Sequence, residues 1–262
     1  MKTKLIKVRK MNPLLLAILA TFILVALPPF THAQTPEDLE QILMSIDTNS
    51  RFPADLSATV TLDERDPDEG DEVSKVRMFR RDADEKFLLL FERPEVQLGQ
   101  GYLNIDDGLW FYDPESRQFT YTSLAESFGG SDARNSDFQA SSLAEDYDVT
   151  SVEEGTLGKF EVWVLELEAT NDEVTYPFRK LWVTKEPNLI LKSEDYSLTN
   201  RLLRTSYFPS YAKAGDSFIP DEQLFVDALV ENKQTKITLE DISTAEIPDN
   251  VFTKAYVERV NR

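Results

Sequence analysis

The chain has 262 residues, of which 47 are acidic and 28 basic, and its formal net charge is −19. A protein this acidic repels nucleic acid and anionic lipid headgroups, which argues against a nucleic-acid-binding role. It contains no cysteine and one histidine, which excludes disulfides and cysteine nucleophiles and argues against zinc, copper or iron sites.

Residues 1–33 have the pattern of a cleaved signal peptide. Basic residues precede an apolar run over 14–27, and Thr31 and Ala33 supply the two small positions of an A-x-A-like cleavage site. A membrane-anchoring helix is disfavoured, because the run is short of the ~18–20 residues needed to span and two prolines follow it. The prediction is export to the periplasm. Cleavage removes the sole histidine, His32, which excludes Ser-His-Asp chemistry, and leaves 23 basic against 47 acidic residues, a net charge of −24.

The mature chain begins with an amphipathic helix and then changes to strands. Thr35 and Pro36 supply a capping residue and a favoured first helical residue, and apolar residues recur at helical spacing to about Asn49. Strands are predicted over 55–62 and 73–81. The acidic segment between them lacks the spacing of an EF-hand, so a solvated turn is predicted in place of a calcium loop.

The stretch from Lys86 to Thr122 contains closely spaced strands. They are predicted at 86–92, 102–105, 109–112 and 118–122, separated by turn residues, which is typical of an antiparallel meander. Both faces of these strands carry large apolar side chains, whereas a half-exposed sheet alternates apolar with polar. Each face must therefore be covered by helices, a second sheet or a bound apolar ligand.

The strand pattern stops at residues 123–146, a polar, glycine-containing segment with two phenylalanines, Phe128 and Phe138. A connection this long between strands is either functional or mobile. One interpretation is a lid over one face of the sheet. The alternative is an ordinary surface crossover anchored by the two aromatic rings.

Further antiparallel strands follow, again with apolar residues on both faces. They are predicted at 147–154, 159–169, 178–185, 189–196, 200–207, 224–231 and 234–239, although residues 224–229 also fit a helix. The final segment, 247–260, is predicted to contain a short helix. No linker and no repeat divides the chain, so residues 34–262 are predicted to form a single, mainly β domain.

The order of turns and aromatic residues resembles a known family. The segments FERP, GYLNIDDGLWFYDPESRQF and FGGSD…SDF, with the ending IPDNVFTKAYVERV, resemble the longer, poorly characterised branch of the LolA/LolB superfamily of outer-membrane lipoprotein-sorting proteins. The resemblance implies an unclosed antiparallel β-barrel or strongly curved sheet with a few covering helices. In the shorter carrier an arginine locks a lid. Arg80, Arg81 and Arg93 lie near in sequence, but none is assigned that role.

The resemblance further implies a periplasmic carrier that binds lipid or lipoprotein acyl chains in an apolar cavity and moves them toward the outer membrane. An inner-membrane transporter and an outer-membrane acceptor are the partners that such a carrier would have. The residue pattern is consistent with such a carrier. About three helices are too few to cover one face of so large a sheet, and large exposed apolar patches are rare on soluble proteins, so the uncovered apolar face needs a ligand or partner. The expected lipid-contacting side chains, on the cavity wall and on the lid, are Leu88, Leu90, Leu103, Trp110, Tyr112, Phe128, Phe138, Trp163, Leu165 and Trp182. A shift of one residue would exchange each wall residue for its neighbour.

Three other interpretations stay open. The tryptophans could plug a self-filled barrel. The domain could be a periplasmic adaptor of an inner-membrane transporter that binds no lipid, recognised by an exposed apolar patch. A hydrolase is disfavoured, because adjacent acids such as Glu194 and Asp195 point to opposite faces of a strand. No enzyme activity, cofactor or metal site is predicted.

Overall fold

The computed structural model describes residues 36–106, 108–172 and 174–260. The predicted signal peptide lies outside these residues. Thirteen strands in the described part of the chain form one sheet. They are β1 (Leu56–Arg65), β2 (Glu72–Arg81), β3 (Lys86–Arg93), β4 (Gly101–Ile105), β5 (Gly108–Asp113), β6 (Gln118–Thr122), β7 (Tyr147–Leu157), β8 (Phe160–Ala169), β9 (Phe178–Thr184), β10 (Ile190–Tyr196), β11 (Leu202–Ala214), β12 (Ser217–Asp227) and β13 (Gln234–Ser243).

The order of the strands leaves the sheet unclosed. Neighbours in sequence pair antiparallel within β1–β6 and within β7–β13, and the two groups are joined by antiparallel pairing of β1 with β13. The edge strands are therefore β6 and β7, which do not pair with each other. This confirms the predicted mainly β fold, an unclosed and curved antiparallel sheet with few helices.

Residues 123–146, called the lid from here on, connect the two edge strands directly. Because β6 and β7 lie at opposite ends of the strand order, the connection has to cross one face of the sheet. We call this the inner face. The inner side chains of β1–β5 include Val60, Met78 and Leu89, which form one buried cluster with lid residues Phe128 and Phe138.

Helices cover further parts of both faces of the sheet. Helix α1 (Pro36–Ser50) packs Ile42, Leu43 and Ile46 on the inner face of β8 and β9, together with Leu143 of the short helix α2 (Leu143–Asp146) in the lid. Helix α3 (Lys254–Val260) and the chain before it cover the opposite, outer face of β3–β5. None of the helices in the described ranges is long and apolar enough to cross a membrane.

One segment that the sequence left ambiguous is a strand. Residues 224–227 belong to β12, because this strand pairs on both sides and two sets of backbone hydrogen bonds outweigh the helical spacing. Pro209 lies at an irregularity inside β11, where pairing with β12 is interrupted between Tyr207 and Ser210. A proline cannot donate to the ladder, so it is tolerated at such a break.

Candidate functional site

The first half of the lid is part of the core. The ring of Phe128 is fully buried and stacks on Phe91 of β3, with a centroid distance of 5.1 Å and an interplanar angle of 19°. Tyr102 and Phe138 lie 4.8 Å and 4.6 Å from the same ring. Gly129 follows at φ +61°, and a Cβ there would lie 2.8 Å from Cζ of Phe91. The backbone approaches the ring so closely that this position requires glycine.

The second half of the lid is held by a buried arginine. Arg204 of β11 donates from Nη1 and Nη2 to the Asp137 carboxylate over 2.6 Å and 3.0 Å, and from Nη1 to the carbonyl oxygen of Asp132 over 3.3 Å. Burial alone lowers the pKa of Arg204, but the carboxylates of Asp137 and Asp195 outweigh it and hold the pKa well above its usual value. Arg204 thus stays charged and clamps the lid to the sheet.

Further buried charged groups hold the Arg204 side chain in place. Asp195, directly across from Arg204 in the β10–β11 pair, has no exposed surface and accepts from Arg204 Nε over 3.1 Å. It also accepts from Arg179 Nε of β9 over 2.9 Å. The guanidinium of Arg204 lies 4.6 Å from the ring centroid of Phe225 and 5.0 Å from that of Tyr176. Removing one partner from such a buried network leaves the other charge uncompensated, so the geometry is strongly constrained.

Helix α1 fixes the end of the lid. The Asp47 carboxylate accepts hydrogen bonds from the Ser141 hydroxyl over 2.5 Å and from the backbone N–H groups of Leu143 and Ala144 over 2.9 Å and 2.8 Å. These two N–H groups begin α2, where a helix leaves donors without partners of its own. The end of the lid is therefore tied to the helix that covers the other half of the inner face.

A cavity of about 500 Å³ lies between α1, the lid and the inner face of the sheet. This volume is within the range of small-molecule sites, roughly 300–1,000 Å³. Its apolar wall includes Ile46, Leu124, Phe138, Val174, Phe218 and Ile219.

The arginines of the cavity wall are paired with carboxylates of the protein. Arg179 and Arg204 contact Asp195, and Arg204 also contacts Asp137. Arg80, another wall residue, forms two hydrogen bonds with Asp82 over 2.8 Å and 3.0 Å. These arginines therefore balance carboxylates within the protein, and the cavity suits an uncharged, apolar guest better than an anion.

The structure does not bring the predicted lipid-contacting residues into one wall. Five of them lie on the outer face, under or beside the segment that contains α3, and this part of the set is corrected: Leu88, Leu90, Leu103, Trp110 and Tyr112. Alternation puts their neighbours Phe87, Leu89, Tyr102 and Leu109 on the inner face. Both sets are apolar, so the sequence pattern contained no signal for which one faces the lid.

The other predicted residues are also divided among separate places. Phe138 lines the cavity, whereas Phe128 is buried behind it in the lid core. Leu165 is buried beneath α1, and Trp163 lies at the edge of that cluster. Trp182 points to the outer face, opposite to its neighbours Leu181 and Val183, with Nζ of Lys192 4.2 Å from its ring centroid.

The tryptophans do not plug the interior. Trp110 and Trp182 lie outside it, with Nζ of Lys254 3.2 Å from a ring centroid of Trp110, and Trp163 lies only at the edge of the cluster beneath α1. The inner face is filled by α1 and the lid up to the remaining cavity. The self-filled barrel with a tryptophan plug is therefore wrong.

Sequence reasoning also missed the residue that holds the lid. Arg80 pairs with Asp82, and Arg81 binds Asp55, Asp249 and the carbonyl oxygen of Ile247, which fixes the chain before α3. Arg204 lies far along the chain from the lid. The signal that could have found it is the set of polar residues on the inner side of β10 and β11, which comprises Ser193, Asp195, Arg204 and Ser206. The described ranges contain no cluster of three or more acidic, His or Cys side chains placed to hold a metal ion.

An unclosed antiparallel sheet with a lidded cavity on its inner face defines the LolA-like class of half-barrels. Over 86% of this chain and 100% of the other, the fold matches a LolA superfamily protein from Nitrosomonas europaea with a TM-score of 0.72 and 25% identity. A domain described as an outer membrane lipoprotein-sorting protein, from Vibrio parahaemolyticus, matches with a TM-score of 0.76 and 20% identity over 86% and 100% of the two chains. A protein of a domain-of-unknown-function family from Desulfovibrio piger matches with a TM-score of 0.74 and 20% identity, also over 86% and 100%.

Residues 83–259 match the model of a family whose description reads "Uncharacterized protein". The chain belongs to this family, and its fold is LolA-like. No curated protein sequence matches it.

Proposed function

We propose that this protein is a periplasmic carrier that binds the acyl chains of a lipid or lipoprotein in the lidded cavity and moves them toward the outer membrane. The observation that carries the proposal is the cavity of about 500 Å³ between α1, the lid and the inner face. Its arginines are already balanced by carboxylates, so an apolar chain is the guest that leaves no charge unpaired. Burying each CH₂ group contributes roughly 0.8 kcal/mol, which holds a lipid without any ion pair.

The lid is divided in a way that suits loading and release. The part around Phe128 is packed into the core, whereas the part from residue 134 to residue 142 is held by polar contacts to Arg204 and Asp47 and by one buried ring, that of Phe138. We propose that residues 134–142 move while the part around Phe128 stays. Polar contacts exchange with water more easily than buried aromatic surface, so the packing of Phe138 is the main cost of the opening.

Two features support export and transport. The N-terminal 33 residues have the pattern of a signal peptide. A lipoprotein-sorting domain of known structure has the same fold, and its described role is extended to this chain as part of the proposal. We propose no catalytic activity, because the inner carboxylates Asp137 and Asp195 are bound by arginines and are not poised as acid and base.

A second candidate role is supported by one surface feature. Val73, Val96 and Leu98 expose 58%, 82% and 55% of their surface. They lie together at one end of the sheet, where the Ser74 hydroxyl bonds to Gln97. An exposed apolar patch of this kind suits contact with a partner protein, as expected of an adaptor. A donor or acceptor of the cargo would fit the same patch, so the two roles are compatible.

The test is the content of the cavity. Protein purified without detergent from its host periplasm is extracted with organic solvent, and the extract is analysed by mass spectrometry. Stoichiometric lipid is expected for the wild type and for Leu198→Glu, whose site is 81% exposed on the β10–β11 turn. Val174→Glu, which places a carboxylate in the cavity wall, is expected to lose the lipid and to stay folded. Extracts that are equally empty for all three proteins contradict the carrier. Turnover of labelled phospholipid would point to an enzyme instead.

A further inference from the structure

A second apolar site lies outside the cavity. A groove of about 830 Å³ is formed where the β7–β8 and β9–β10 turns approach the middle of β11. We call it the rim groove. Its apolar wall includes Phe160, Trp163, Leu191, Phe208 and Pro209. Phe160 exposes 45% of its surface, so its ring is available to a bound chain.

The rim groove adjoins the cavity. Leu189, Phe208 and Tyr211 line both spaces, so these three side chains form the boundary between them. The hydroxyl of Tyr211 donates to the carbonyl oxygen of Ile190 over 2.6 Å, and this bond fixes the ring at the boundary. A second chain of a ligand held in the cavity would reach the groove by passing these side chains.

Three polar side chains of the groove are already used inside the protein, and its other charged side chains, Lys159, Glu161 and Glu186, are exposed to solvent. The Thr184 hydroxyl donates to the carbonyl oxygen of Pro187 and accepts from the N–H of Leu189 over 3.0 Å, and the Ser210 hydroxyl donates to Asp221. Nζ of Lys185 lies 3.2 Å from the Glu154 carboxylate and 4.4 Å from the ring centroid of Trp163. An extended peptide needs hydrogen-bonding partners for its backbone, which these groups do not provide. A hydrocarbon chain needs none.

We propose that the rim groove is a second acyl subsite and that the ligand has at least two acyl chains, one in the cavity and one in the groove. The inference rests on the proposed carrier function and narrows its substrate class to lipids or lipid anchors with two or more chains. The ammonium group of Lys185 lies above Trp163, so the butyl stem of this lysine can close over the outer chain.

Trp163 is a reporter at the site. The chain has three tryptophans, and the other two, Trp110 and Trp182, lie on the outer face. A protein with Trp110→Phe and Trp182→Phe therefore fluoresces from Trp163 alone. It is titrated below the micellar concentration with a short two-chain phosphatidylcholine, and separately with a fatty acid, both brominated near the end of each chain. The two-chain probe is expected to quench Trp163, and the one-chain probe is expected to bind with little quenching because it occupies the cavity.

A pair of variants completes the test. Phe160→Ser in the groove is expected to raise the dissociation constant of the two-chain probe about tenfold, which corresponds to about 1.4 kcal/mol, and to leave the one-chain probe unchanged. Leu198→Ser, which removes an apolar side chain that is 81% exposed on the β10–β11 turn, is the matched control and is expected to change neither constant.

The second subsite is overturned if both probes quench Trp163 equally, or if neither bound probe quenches it. It is also overturned if Phe160→Ser changes the dissociation constants of both probes equally or of neither. These outcomes do not contradict the carrier function. Failure of the wild-type protein to bind either probe overturns the carrier function itself.

Discussion

The contact between Arg204 and Asp137 offers the sharpest test of the lid, through the substitution Asp137→Ala. The change removes two charge-assisted hydrogen bonds from Arg204, of 2.6 Å and 3.0 Å, and one of 2.6 Å from the backbone N–H of Arg134, while Arg204 keeps its bond of 3.1 Å to Asp195. Arg204 therefore retains one carboxylate partner and the fold should be preserved. Bonds to charged groups contribute about 1.5–3 kcal/mol each. The Asp137 side chain is 17% exposed, so water compensates part of the loss.

We expect lid docking to weaken by about 3 kcal/mol, or roughly a hundredfold in the population of the open lid. Hydrogen–deuterium exchange should accelerate by that factor at residues 134–142 and stay unchanged around Phe128, which is held by aromatic packing. Because the ligand must displace the lid to enter, a larger open population should also lower the apparent dissociation constant for a fatty acid.

Asp249→Ala is the matched control, because it removes a carboxylate 2.5 Å from Arg81 that is 94% exposed and far from the lid. A surface pair of this kind contributes little, so neither exchange nor affinity should change. The reasoning is refuted if Asp137→Ala leaves exchange at 134–142 unchanged, or if it accelerates exchange and weakens ligand binding.

Three further outcomes follow from the contacts described above. Gly129→Ala should lower the free energy of unfolding in urea by about 2–4 kcal/mol, because its Cβ meets Phe91 at 2.8 Å. Gly130→Ala, with open space around it, should cost only about 1–2 kcal/mol of backbone strain. Equal costs for the two variants would contradict the close approach of Gly129 to Phe91. Leu90→Glu should expose the α3 segment to proteolysis and destabilise the fold by about 3 kcal/mol or more, because the Leu90 side chain is only 9% exposed beneath Val257. A fully stable variant would show that the outer cluster is not part of the core. Burial and the nearby Asp132 carboxylate raise the pKa of Glu64 from 4.5 to about 7, so this group stabilises the fold below about pH 4.5 and loses that contribution as the pH rises through about 7. Thermal unfolding between pH 5 and pH 8 should therefore show about 1–2 kcal/mol less pH dependence in Glu64→Gln than in the wild type, and identical profiles would contradict the shift.

The sequence was informative where local rules decide the structure. The turn residues separated the strands of β3–β6, the helical spacing of Ile42 and Ile46 located α1, and the length of 123–146 indicated a long connection, either a lid or a crossover. These features depend on neighbours in the chain, so one sequence suffices to find them. The resemblance added the unclosed architecture, which strand spacing alone does not specify.

The parts that failed depend on contacts between distant segments. Leu88 and Leu89 are both fully buried, one beneath the α3 segment and the other beneath the lid, and no polar alternation distinguishes them. The Arg204–Asp195 pair forms because β10 and β11 are in a register that places the two residues opposite each other. Its link to Asp137 then depends on the path of the lid, which follows from the strand order and not from local sequence.

The position of the lid between β6 and β7 has a mechanical consequence. The lid is the direct covalent connection between the two edge strands of the sheet. Flattening the sheet would move the edge strands apart and stretch the lid, and a longer or looser lid would let the edge strands separate. A single cut by protease in this segment should therefore relax the curvature of the whole sheet, even though every strand keeps its hydrogen-bonded neighbours.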